Sequence, residues 1–525
     1  EVLGISTDTA ETHRKFRIRC ELGVTLLADP EQVAHKGFGT WREKVMYGRK
    51  LMGTQRSTFL VGPDGVDVGP AVSEVAGHDE ALGVDPVVPV AVVRPTSTAQ
   101  VAAVVTWAAG LGVPLTPRGS GTGLSGGAVP AAGGVVVSFE RMAAICEIDE
   151  ANHVAVVEPG VTLAQLDAAL APLGLVYPVQ PGEDSASLGG NTATNAGGMR
   201  AVKYGVTRHH VLGVEAVLGT GEVISAGGRY VKATSGYDLT QLLIGSEGTL
   251  ALITRVILRL HPRPAHRSTV LAPFATIDQI AAAVPAVVAS GVGPLLVEYL
   301  DLISMAGITA AAGIDLGIPA DIQATALAYL VVVLEDHHAD RVEEDTEQLA
   351  LQLSGLGALD VYVLPPHAGA DLIAARERAF WASKAAGADD LVDVVVPRAS
   401  IPDYLAAVAD LAADSGSLIT GCGHAGDGNV HLSIFQPDPT VRRRVVHDVL
   451  AAGVALGGAV SGEHGIGTAK RAAFEELADP VTLALMRRIK AAFDPAGILN
   501  PGTIFSPGPA PSPAIAPSPQ EVPPT

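Results

Sequence analysis

The sequence lacks long hydrophobic runs, has few cysteines and is short of positive charge. Its most apolar stretch, Ala326 to Leu334, is about half of the 18 or so residues that a membrane-spanning helix needs, and indicates a buried strand. Cys20, Cys146 and Cys422 are too few and scattered for a disulfide framework, and residues 1–40 lack a secretory apolar core, so we expect a cytoplasmic protein. The net charge of −20 argues against nucleic acid as a partner.

The sequence does contain enough residues for more than one domain. Up to about Pro264, glycine turns separate short strands and helices, including a helix from Thr98 to Gly110 and a hairpin at Gly219-Thr-Gly221. Longer helices alternate with strands beyond Arg267, which predicts a second, α+β domain. Candidate strands there are Leu295 to Leu300, Leu327 to Leu334, Leu391 to Val396 and Leu418 to Gly423, and candidate helices span 277–289, 339–354, 369–385 and 402–414.

These changes in composition and in the lengths of the predicted elements indicate how the chain is divided into domains. The predicted parts are an extension of unreadable role whose end joins the first domain (1–85), a glycine-rich mixed domain (86–265), an α+β domain (266–490), a C-terminal return to the first domain (491–505) and a disordered tail (506–525). The tail is assigned because its eight prolines exclude helix and sheet ladders.

One glycine-rich segment starts at Pro117 and contains G-x-G-x-x-G at Gly121, Gly123 and Gly126. This pattern mimics a dinucleotide-binding turn, but such a turn must feed a crossover helix, and Pro130 leaves no room for one before the next strand. We therefore interpret the segment as a nest of backbone amides around a pyrophosphate, with Arg118 adding positive charge.

A second dense patch, Pro181 to Gly198, mixes glycine with small hydroxyl and amide side chains. Such a surface permits close approach of the backbone to a flat cofactor. Either patch alone is equally well explained as an ordinary multi-turn connection. The presence of both favours a cofactor.

Four segments occur in the order typical of one family: 118–127, 181–198, Gly245-Ser-Glu-Gly-Thr-Leu250 and Leu499-Asn-Pro-Gly502. Over residues 80–505 the chain resembles the FAD-linked D-2-hydroxyacid dehydrogenases, a branch of the vanillyl-alcohol oxidase and p-cresol methylhydroxylase superfamily. That branch holds D-lactate dehydrogenase, the flavin subunit of glycolate oxidase and D-2-hydroxyglutarate dehydrogenase. The resemblance implies an α+β fold with a two-part PCMH-type FAD-binding domain and a cap domain built on an antiparallel sheet.

The resemblance also implies which residues contact a non-covalent FAD. It places Arg118 to Gly123 at the pyrophosphate, Gly189, Gly190, Asn195 and Gly198 along the flavin, Glu247, Gly248 and Ile253 near the adenine half, and Asn500 on the isoalloxazine side. The full predicted set is Pro117, Arg118, Gly119, Ser120, Gly121, Thr122, Gly123, Pro181, Gly182, Ser187, Gly189, Gly190, Asn195, Gly198, Glu247, Gly248, Ile253 and Asn500.

A second kind of pattern predicts a metal centre. His424 and His431 flank Gly426-Asp-Gly-Asn, a strong turn sequence that would fold the two imidazoles together. Glu463 lies beside His464 in another glycine loop. Two histidines and one carboxylate make a three-ligand site with open positions, and we expect Zn²⁺ there. The resemblance assigns the same roles to these residues.

The chemistry that fits these parts is oxidation of a 2-hydroxy acid. The metal would acidify the substrate hydroxyl, and a neutral His464 would take its proton as the general base. Arg376, on a predicted helix, matches by spacing to Asp393 and Pro397 the family arginine that binds the carboxylate. His464 would also contact substrate.

Two departures bear on the substrate. Where hydroxyglutarate-specific members of the family carry a lysine, this chain has Leu391, and where they carry an asparagine it has Ser433. A second substrate carboxylate is thus less favoured, and D-lactate or glycolate is the prediction. The alternatives are D-2-hydroxyglutarate, a flavin-dependent transferase of the alkylglycerone-phosphate synthase type, and a non-catalytic flavin subunit. The electron acceptor is unreadable, and a homodimer and peripheral membrane association stay open.

Overall fold

A computed structural model describes residues 74–507 without a break. Of the preceding residues it describes 3–6, 8–9, 11–12, 15, 25–28, 30–31, 41–46, 49–54 and 67–68. Most of the predicted extension, and the predicted tail from residue 508, therefore lie outside the described residues. Within the described ranges no helix is long and apolar enough to cross a membrane.

A four-stranded sheet begins the continuous part of the structure. Its strands are, in spatial order, Asp67–Val68, Ala91–Arg94, Val135–Ser138 and Leu115–Arg118. The helix Thr98–Leu111 packs on it and buries Val101, Val104, Val105 and Ala108, the face that the 3.6-residue period predicts. Ser97 caps this helix by accepting a hydrogen bond from the Gln100 amide, which explains why it starts there.

The described connection between two strands of this sheet contains no helix. As predicted, no helix follows the glycine loop after Leu115–Arg118 in the described chain. The chain nevertheless enters Val135–Ser138 in parallel, so the crossover is made here without a helix. The crossover is an irregular loop through Gly133, whose φ of +75° suits the glycine there.

A five-stranded antiparallel sheet follows. Its spatial order is Val223–Gly227, Val211–Leu218, Ala251–Arg259, Val154–Val157 and Ile145–Asp149. The first two strands form the predicted hairpin. Between Val154–Val157 and Val211–Leu218 in the chain lies a short α-helix, Leu163–Leu170, which a 3-10 turn follows, and Thr162 and Gln165 form the capping box that sets its start.

A seven-stranded antiparallel sheet starts immediately after this region. Its spatial order is Tyr362–Leu364, His266–Phe274, Ala328–Asp336, Leu296–Asp301, Leu418–Gly423, Asn429–Phe435 and Asp390–Val395. The four strands predicted here are all present within two residues of their predicted ends. The molecule therefore has the predicted α+β architecture with an antiparallel sheet.

Helices cover the seven-stranded sheet. They are Ile277–Ala289, Leu302–Ala312, Ala320–Thr325, Ala339–Gly355, Pro366–Glu377, Ala379–Ala385, Ile401–Ser415, Pro439–Ala455 and Arg471–Leu477. The last helix, Pro480–Phe493, packs instead on the core of the five-stranded sheet through Ile489 and Phe493. The single helix predicted over 369–385 is in fact two helices, because Arg378 leaves helical geometry with φ −89° and ψ 11°. This break ends the first helix one residue after Arg376.

The C-terminus returns to the four-stranded sheet. Leu499 forms a parallel bridge with Leu115, and Ile498 and Leu499 are buried in the same hydrophobic core as the strand Val135–Ser138. Residues near 500 therefore lie beside the glycine loop that follows Arg118.

Candidate active site

Two adjoining cavities lie between the sheets. The first, here called the glycine-lined cavity, encloses about 1240 Å³ including open space at its mouth, and 119–128 and 186–197 supply much of its wall. The second, the histidine-lined cavity, encloses about 620 Å³ measured in the same way. Four residues line both cavities, namely Leu124, Pro181, Glu463 and His464.

The glycine-lined cavity is formed by two loops in close contact. A Cβ on Gly119 would lie 2.0 Å from Ser187 Oγ, so only glycine permits this approach. Ser187 Oγ in turn accepts hydrogen bonds from the amides of Ser120 and Gly190. The amides of Gly121, Thr122 and Gly123 donate to no acceptor among the described residues.

These free amides fit an anionic ligand such as a pyrophosphate, which they could bind as a nest. The rest of the wall is small, apolar or hydroxyl-bearing, which fits the flat rings of a dinucleotide. Residues of the predicted set that line this cavity are Pro117, Gly119, Ser120, Gly121, Thr122, Gly123, Pro181, Ser187, Gly189, Gly190, Glu247, Gly248 and Ile253.

Arg118 lies behind the glycine loop. Its guanidinium donates to the His78 carbonyl at 2.6 Å, and a Cβ on Gly121 would lie 2.0 Å from its Nη2. Arg118 is not part of the cavity wall. This side chain therefore lies behind the loop, and its contact with a pyrophosphate stays a prediction.

Four other residues of the predicted set lie beside the glycine-lined cavity. Gly182 and Gly198 line the histidine-lined cavity instead. Asn195 ends the helix Leu188–Thr194 and accepts a hydrogen bond from the Arg208 amide. Asn500 donates to the carbonyls of Gly127 and Glu247, so the returning C-terminus holds two parts of the cavity wall together.

Glu247 joins the wall of the glycine-lined cavity to the loop that carries His464. Its carboxylate is buried and accepts hydrogen bonds from the amides of Ile466 and Gly467, both at 2.8 Å. These amides belong to the loop that carries His464. The contact of Glu247 with an adenine stays a prediction, whereas its contact with the His464 loop is a direct finding.

The histidine-lined cavity contains the three predicted metal ligands. The strands Leu418–Gly423 and Asn429–Phe435 pair across the turn at Gly428, whose φ is +93°, and bring the rings of His424 and His431 to 4.8 Å between centroids. Glu463 comes from a distant loop. Its Oε1 lies 3.2 Å from His424 Nε2 and 3.3 Å from His431 Nε2.

This arrangement fits a divalent cation. A tetrahedral ion with bonds of about 2.05 Å needs ligand atoms about 3.3 Å apart. The ligand atoms of His424, His431 and Glu463 all lie within 4.8 Å of one another. Burial alone would lower the pKa of His424, yet Glu298 and Glu463 raise it well above its usual value. A cation bound here would displace that proton.

Glu298 and Arg376 lie behind the metal ligands. Glu298 has no exposed surface, and its Oε1 lies 2.7 Å from His424 Nδ1. Its Oε2 lies 2.9 Å from Nη2 of the buried Arg376. Arg376 lines the histidine-lined cavity, and its Nε and Nη2 have no hydrogen-bond acceptor among the described residues.

Asp393 organises the loop that carries Glu463 and His464. Its Oδ2 accepts hydrogen bonds from the amides of Gly462 and Glu463 at 2.7 Å, and Lys470 forms an ion pair with its Oδ1. Burial alone would raise the pKa of Asp393, but His464 and Lys470 hold it below its usual range. The loop is therefore anchored to a fully buried, ionised carboxylate.

His464 lies on the boundary between the cavities. Its ring stacks on His431 at 5.1 Å between centroids, and its Nδ1 lies 3.4 Å from Asp393 Oδ1. Burial lowers the pKa of His464 to about 4. Its imidazole is therefore neutral near pH 7 and can accept a proton.

Sequence reasoning did not assign roles to Glu298 and Asp393. Each is a single carboxylate within an otherwise apolar strand, in Leu295-Leu-Val-Glu-Tyr-Leu and Leu391-Val-Asp-Val-Val-Val. Buried acids are rare unless they are paired, so an isolated acid in such a strand is a usable signal. Arg378, two residues after Arg376, lines neither cavity and donates a hydrogen bond to the Ala374 carbonyl.

Comparison with known proteins places these features in a family. Residues 89–227 match the family described as "FAD binding domain", and residues 263–504 match "FAD linked oxidases, C-terminal domain". Residues 1–66 match a different family, "AhpC/TSA family". The last match lies in the part of the chain that sequence reasoning left without a role.

Three curated relatives resemble most of the chain. An uncharacterized FAD-linked oxidoreductase of Mycobacterium tuberculosis is 54% identical over 447 residues, which cover 85% of this chain and 97% of the relative. A D-lactate dehydrogenase of Archaeoglobus fulgidus is 37% identical, with 78% and 90% covered. The glycolate oxidase subunit GlcD of Bacillus subtilis is also 37% identical, with 78% and 88% covered.

Solved structures show the same fold. A structure of p-cresol methylhydroxylase with substrate bound superposes with a TM-score of 0.67 at 18% identity, covering 81% of this chain and 91% of that one. Alkyldihydroxyacetonephosphate synthase superposes with a TM-score of 0.62, also at 18% identity, covering 81% of each chain. The fold is therefore PCMH-type, with a two-part FAD-binding domain.

Proposed function

The chain belongs to the family of FAD-linked oxidoreductases that includes D-lactate dehydrogenases and glycolate oxidase subunits, and from this premise we propose that it oxidises a D-2-hydroxy acid to the 2-oxo acid with the help of a divalent metal. The observation that carries the proposal is the position of His464, which lines both the glycine-lined and the histidine-lined cavity. A substrate in the second cavity would thus have a proton acceptor beside it and the cofactor cavity next to it.

The residues supply the proton chemistry of this oxidation. Neutral His464 takes the hydroxyl proton as the C=O bond forms, and the Cα–H bond breaks with loss of a hydride. FAD, which the residues of the glycine-lined cavity would hold, would supply the hydride acceptor and so take up the two electrons. His424, His431 and Glu463 would hold the divalent metal, Zn²⁺ by our prediction, which lowers the pKa of the hydroxyl group.

Arg376 supplies the anchor for the substrate carboxylate. Its Nε and Nη2 have no hydrogen-bond acceptor among the described residues, and a guanidinium can donate two parallel hydrogen bonds to one carboxylate. Among the residues that line the histidine-lined cavity, Arg376 is the one permanently charged cation. One such cation accounts for one carboxylate.

The wall positions that distinguish substrates also favour a monocarboxylate. Leu391 and Ser433, the two departures noted in the sequence, are paired in register on neighbouring strands and both line the histidine-lined cavity. Ser433 donates a hydrogen bond to Ser383 at 2.9 Å. Neither residue offers a charge to a second carboxylate, so we propose D-lactate or glycolate as the substrate.

The test is anaerobic reduction of the bound flavin, followed by absorbance in a stopped-flow instrument. We expect D-lactate or glycolate to bleach the flavin with a higher rate constant over dissociation constant than D-2-hydroxyglutarate. A preference for the dicarboxylate would reject the substrate proposal. If no 2-hydroxy acid reduced the flavin, the protein would be a transferase or a non-catalytic flavin subunit instead.

Removal of the metal separates these classes further. After dialysis against a chelator, we expect flavin reduction to be lost while FAD stays bound, and Zn²⁺ to restore it. A transferase that does no net oxidation would not need a metal bound by His424, His431 and Glu463. Full activity of metal-depleted protein would therefore reject the proposed metal dependence.

A further inference from the structure

Glu298 contacts two parts of the candidate site from one buried position. It lies in the strand Leu296–Asp301, in the middle of the seven-stranded sheet, and has no exposed surface. One carboxylate oxygen faces His424 and the other faces Arg376. Burial of a carboxylate is costly, so its partners must compensate that cost.

The contact with His424 determines which ring nitrogen is free. A carboxylate can only accept, so the Nδ1 of His424, 2.7 Å from Glu298 Oε1, carries the proton. When a cation displaces the proton from Nε2, the atom that faces Glu463 at 3.2 Å, the ring becomes neutral and offers the lone pair of Nε2 to that cation. A carboxylate behind a histidine ligand orients the ring and strengthens its bond to a metal.

The contact with Arg376 is of a different kind. Nη2 lies 2.9 Å from Glu298 Oε2, but neither atom is aligned for a hydrogen bond. The attraction is therefore between charges, and it holds the guanidinium in the cavity wall. Nε and Nη2 are buried and have no hydrogen-bond acceptor among the described residues.

Resting on the proposed function, we infer that Glu298 is a positioning residue that serves both halves of substrate binding at once. Its oxygen acceptor orients the metal ligand His424, and its negative charge holds the carboxylate anchor Arg376. The two roles depend on different properties of the same group. They can therefore be separated by substitution.

Two substitutions make this separation. Glu298→Gln keeps an oxygen that can accept from His424 Nδ1–H but removes the charge beside Arg376. Glu298→Leu removes both. The measurements are the dissociation constant of Zn²⁺, obtained by competition with a chromophoric chelator on FAD-loaded, metal-depleted protein, and the KM and kcat for D-lactate at saturating Zn²⁺.

For Glu298→Gln we expect a KM about 10-fold higher or more with Zn²⁺ affinity within about threefold of the wild type, because the charge contact is lost and the acceptor is kept. For Glu298→Leu we expect Zn²⁺ affinity to fall by about 10- to 100-fold as well. If Glu298→Gln and Glu298→Leu both kept the wild-type Zn²⁺ affinity and the wild-type KM for D-lactate, the inference would be overturned. If the leucine variant does not fold, an unchanged KM in the glutamine variant still overturns it.

Glu335→Gln is the matched control. Glu335 lies on the neighbouring strand, is buried, and pairs with Lys203 and Arg267 outside both cavities. We expect this variant to lose thermal stability but to keep the wild-type Zn²⁺ affinity and KM. If Glu298→Gln and Glu335→Gln changed the Zn²⁺ affinity and the KM equally, the role of Glu298 would be structural only, and the inference would be overturned.

The outcomes also separate this inference from the proposed function. Wild-type protein that binds no Zn²⁺ would refute the metal site, and with it the His424 contact as a positioning device. Wild-type protein that binds Zn²⁺ and oxidises D-lactate, with variants that behave like it, would leave the proposed function intact and refute the inference alone.

Discussion

The two cavities share part of their wall but differ in the chemical groups that line them. The glycine-lined cavity offers backbone amides, glycines and small side chains, with Glu247 already occupied by the amides of Ile466 and Gly467. The histidine-lined cavity offers buried ionisable side chains. Shape and backbone suffice to bind a cofactor that brings its own chemistry, whereas acidifying a hydroxyl group requires charge within a few ångströms of it.

The difference extends to how each cavity is supported. Backbone donors need only the correct loop conformation, which glycines at positive φ and close contacts such as Gly119 with Ser187 provide. Buried charges need partners on other strands, which Glu298 and Asp393 provide. Substitutions should therefore affect catalysis in one cavity and cofactor retention in the other.

The largest effect should come from the residue that both cavities share. We expect His464→Ala to lower the rate constant of flavin reduction by D-lactate about 10²- to 10⁴-fold, because the proton acceptor is lost. FAD and Zn²⁺ contents should match the wild type, since His464 is not a predicted ligand of the metal. A decrease of less than tenfold in stopped-flow experiments would assign the proton transfer to another group.

A second test addresses the charges of the histidine-lined cavity. Arg376→Met leaves the carboxylate of Glu298 buried without its cation, and we expect a loss of about 3–5 kcal/mol in the free energy of unfolding. Arg376→Lys keeps a charge but not the planar pair of donors. It should lose less stability in urea denaturation and still raise the KM for D-lactate about tenfold. Equal stability of both variants would contradict the role of charge.

His210 shows how the protein buries an ionisable group outside both cavities. Its Nδ1 has no hydrogen-bond partner among the described residues, and burial lowers the pKa of His210 to about 4. Between this value and the ordinary pKa of about 6.5, the unfolded chain binds a proton that the folded chain does not. Stability should therefore fall as the pH drops through that window, and His210 should contribute nothing to the pH dependence above it.

The measurement is the free energy of unfolding of the wild type and of His210→Gln at several pH values. The wild type should show an additional slope of up to about 1.4 kcal/mol per pH unit between about pH 6.5 and pH 4. The difference between the two proteins isolates this residue from the other titrating groups. Parallel curves for the two proteins would show that His210 titrates normally.

The smallest effect should come from the glycine-lined cavity. Gly121 has a φ of +80°, and a Cβ there would lie 2.0 Å from Arg118 Nη2. We expect Gly121→Ala to cost about 1–2 kcal/mol of stability and to lower the FAD content of the purified protein, with KM unchanged in the molecules that retain FAD.

Gly110→Ala is the control for that substitution. Gly110 lies inside the helix Thr98–Leu111, and nothing lies within 4 Å of an added Cβ. Alanine should stabilise the helix by about 0.5–1 kcal/mol and leave the FAD content unchanged. If Gly121→Ala behaved in the same way in thermal unfolding, the loop would not depend on glycine.

The sequence by itself determined the features that depend on neighbouring residues. The helix Thr98–Leu111 and its buried face follow from a 3.6-residue period and a capping serine, and the strand Ala328–Asp336 follows from an apolar run. The turn at Gly428 brings His424 and His431 together. These signals lie within a few residues of one another, so they can be recognised without knowing the fold.

Only the tertiary structure decided which distant groups meet. Glu298 and His424 are separated by 126 residues, and no local pattern relates them. Arg118 carries the charge expected of a phosphate clamp, and its hydrogen bond to the His78 carbonyl holds its side chain behind the loop. A buried charge is stable only beside a partner of opposite charge or a hydrogen-bonding group. The order of strands in the sheet decides which group that is. The pattern of residues along a single strand does not reveal that order.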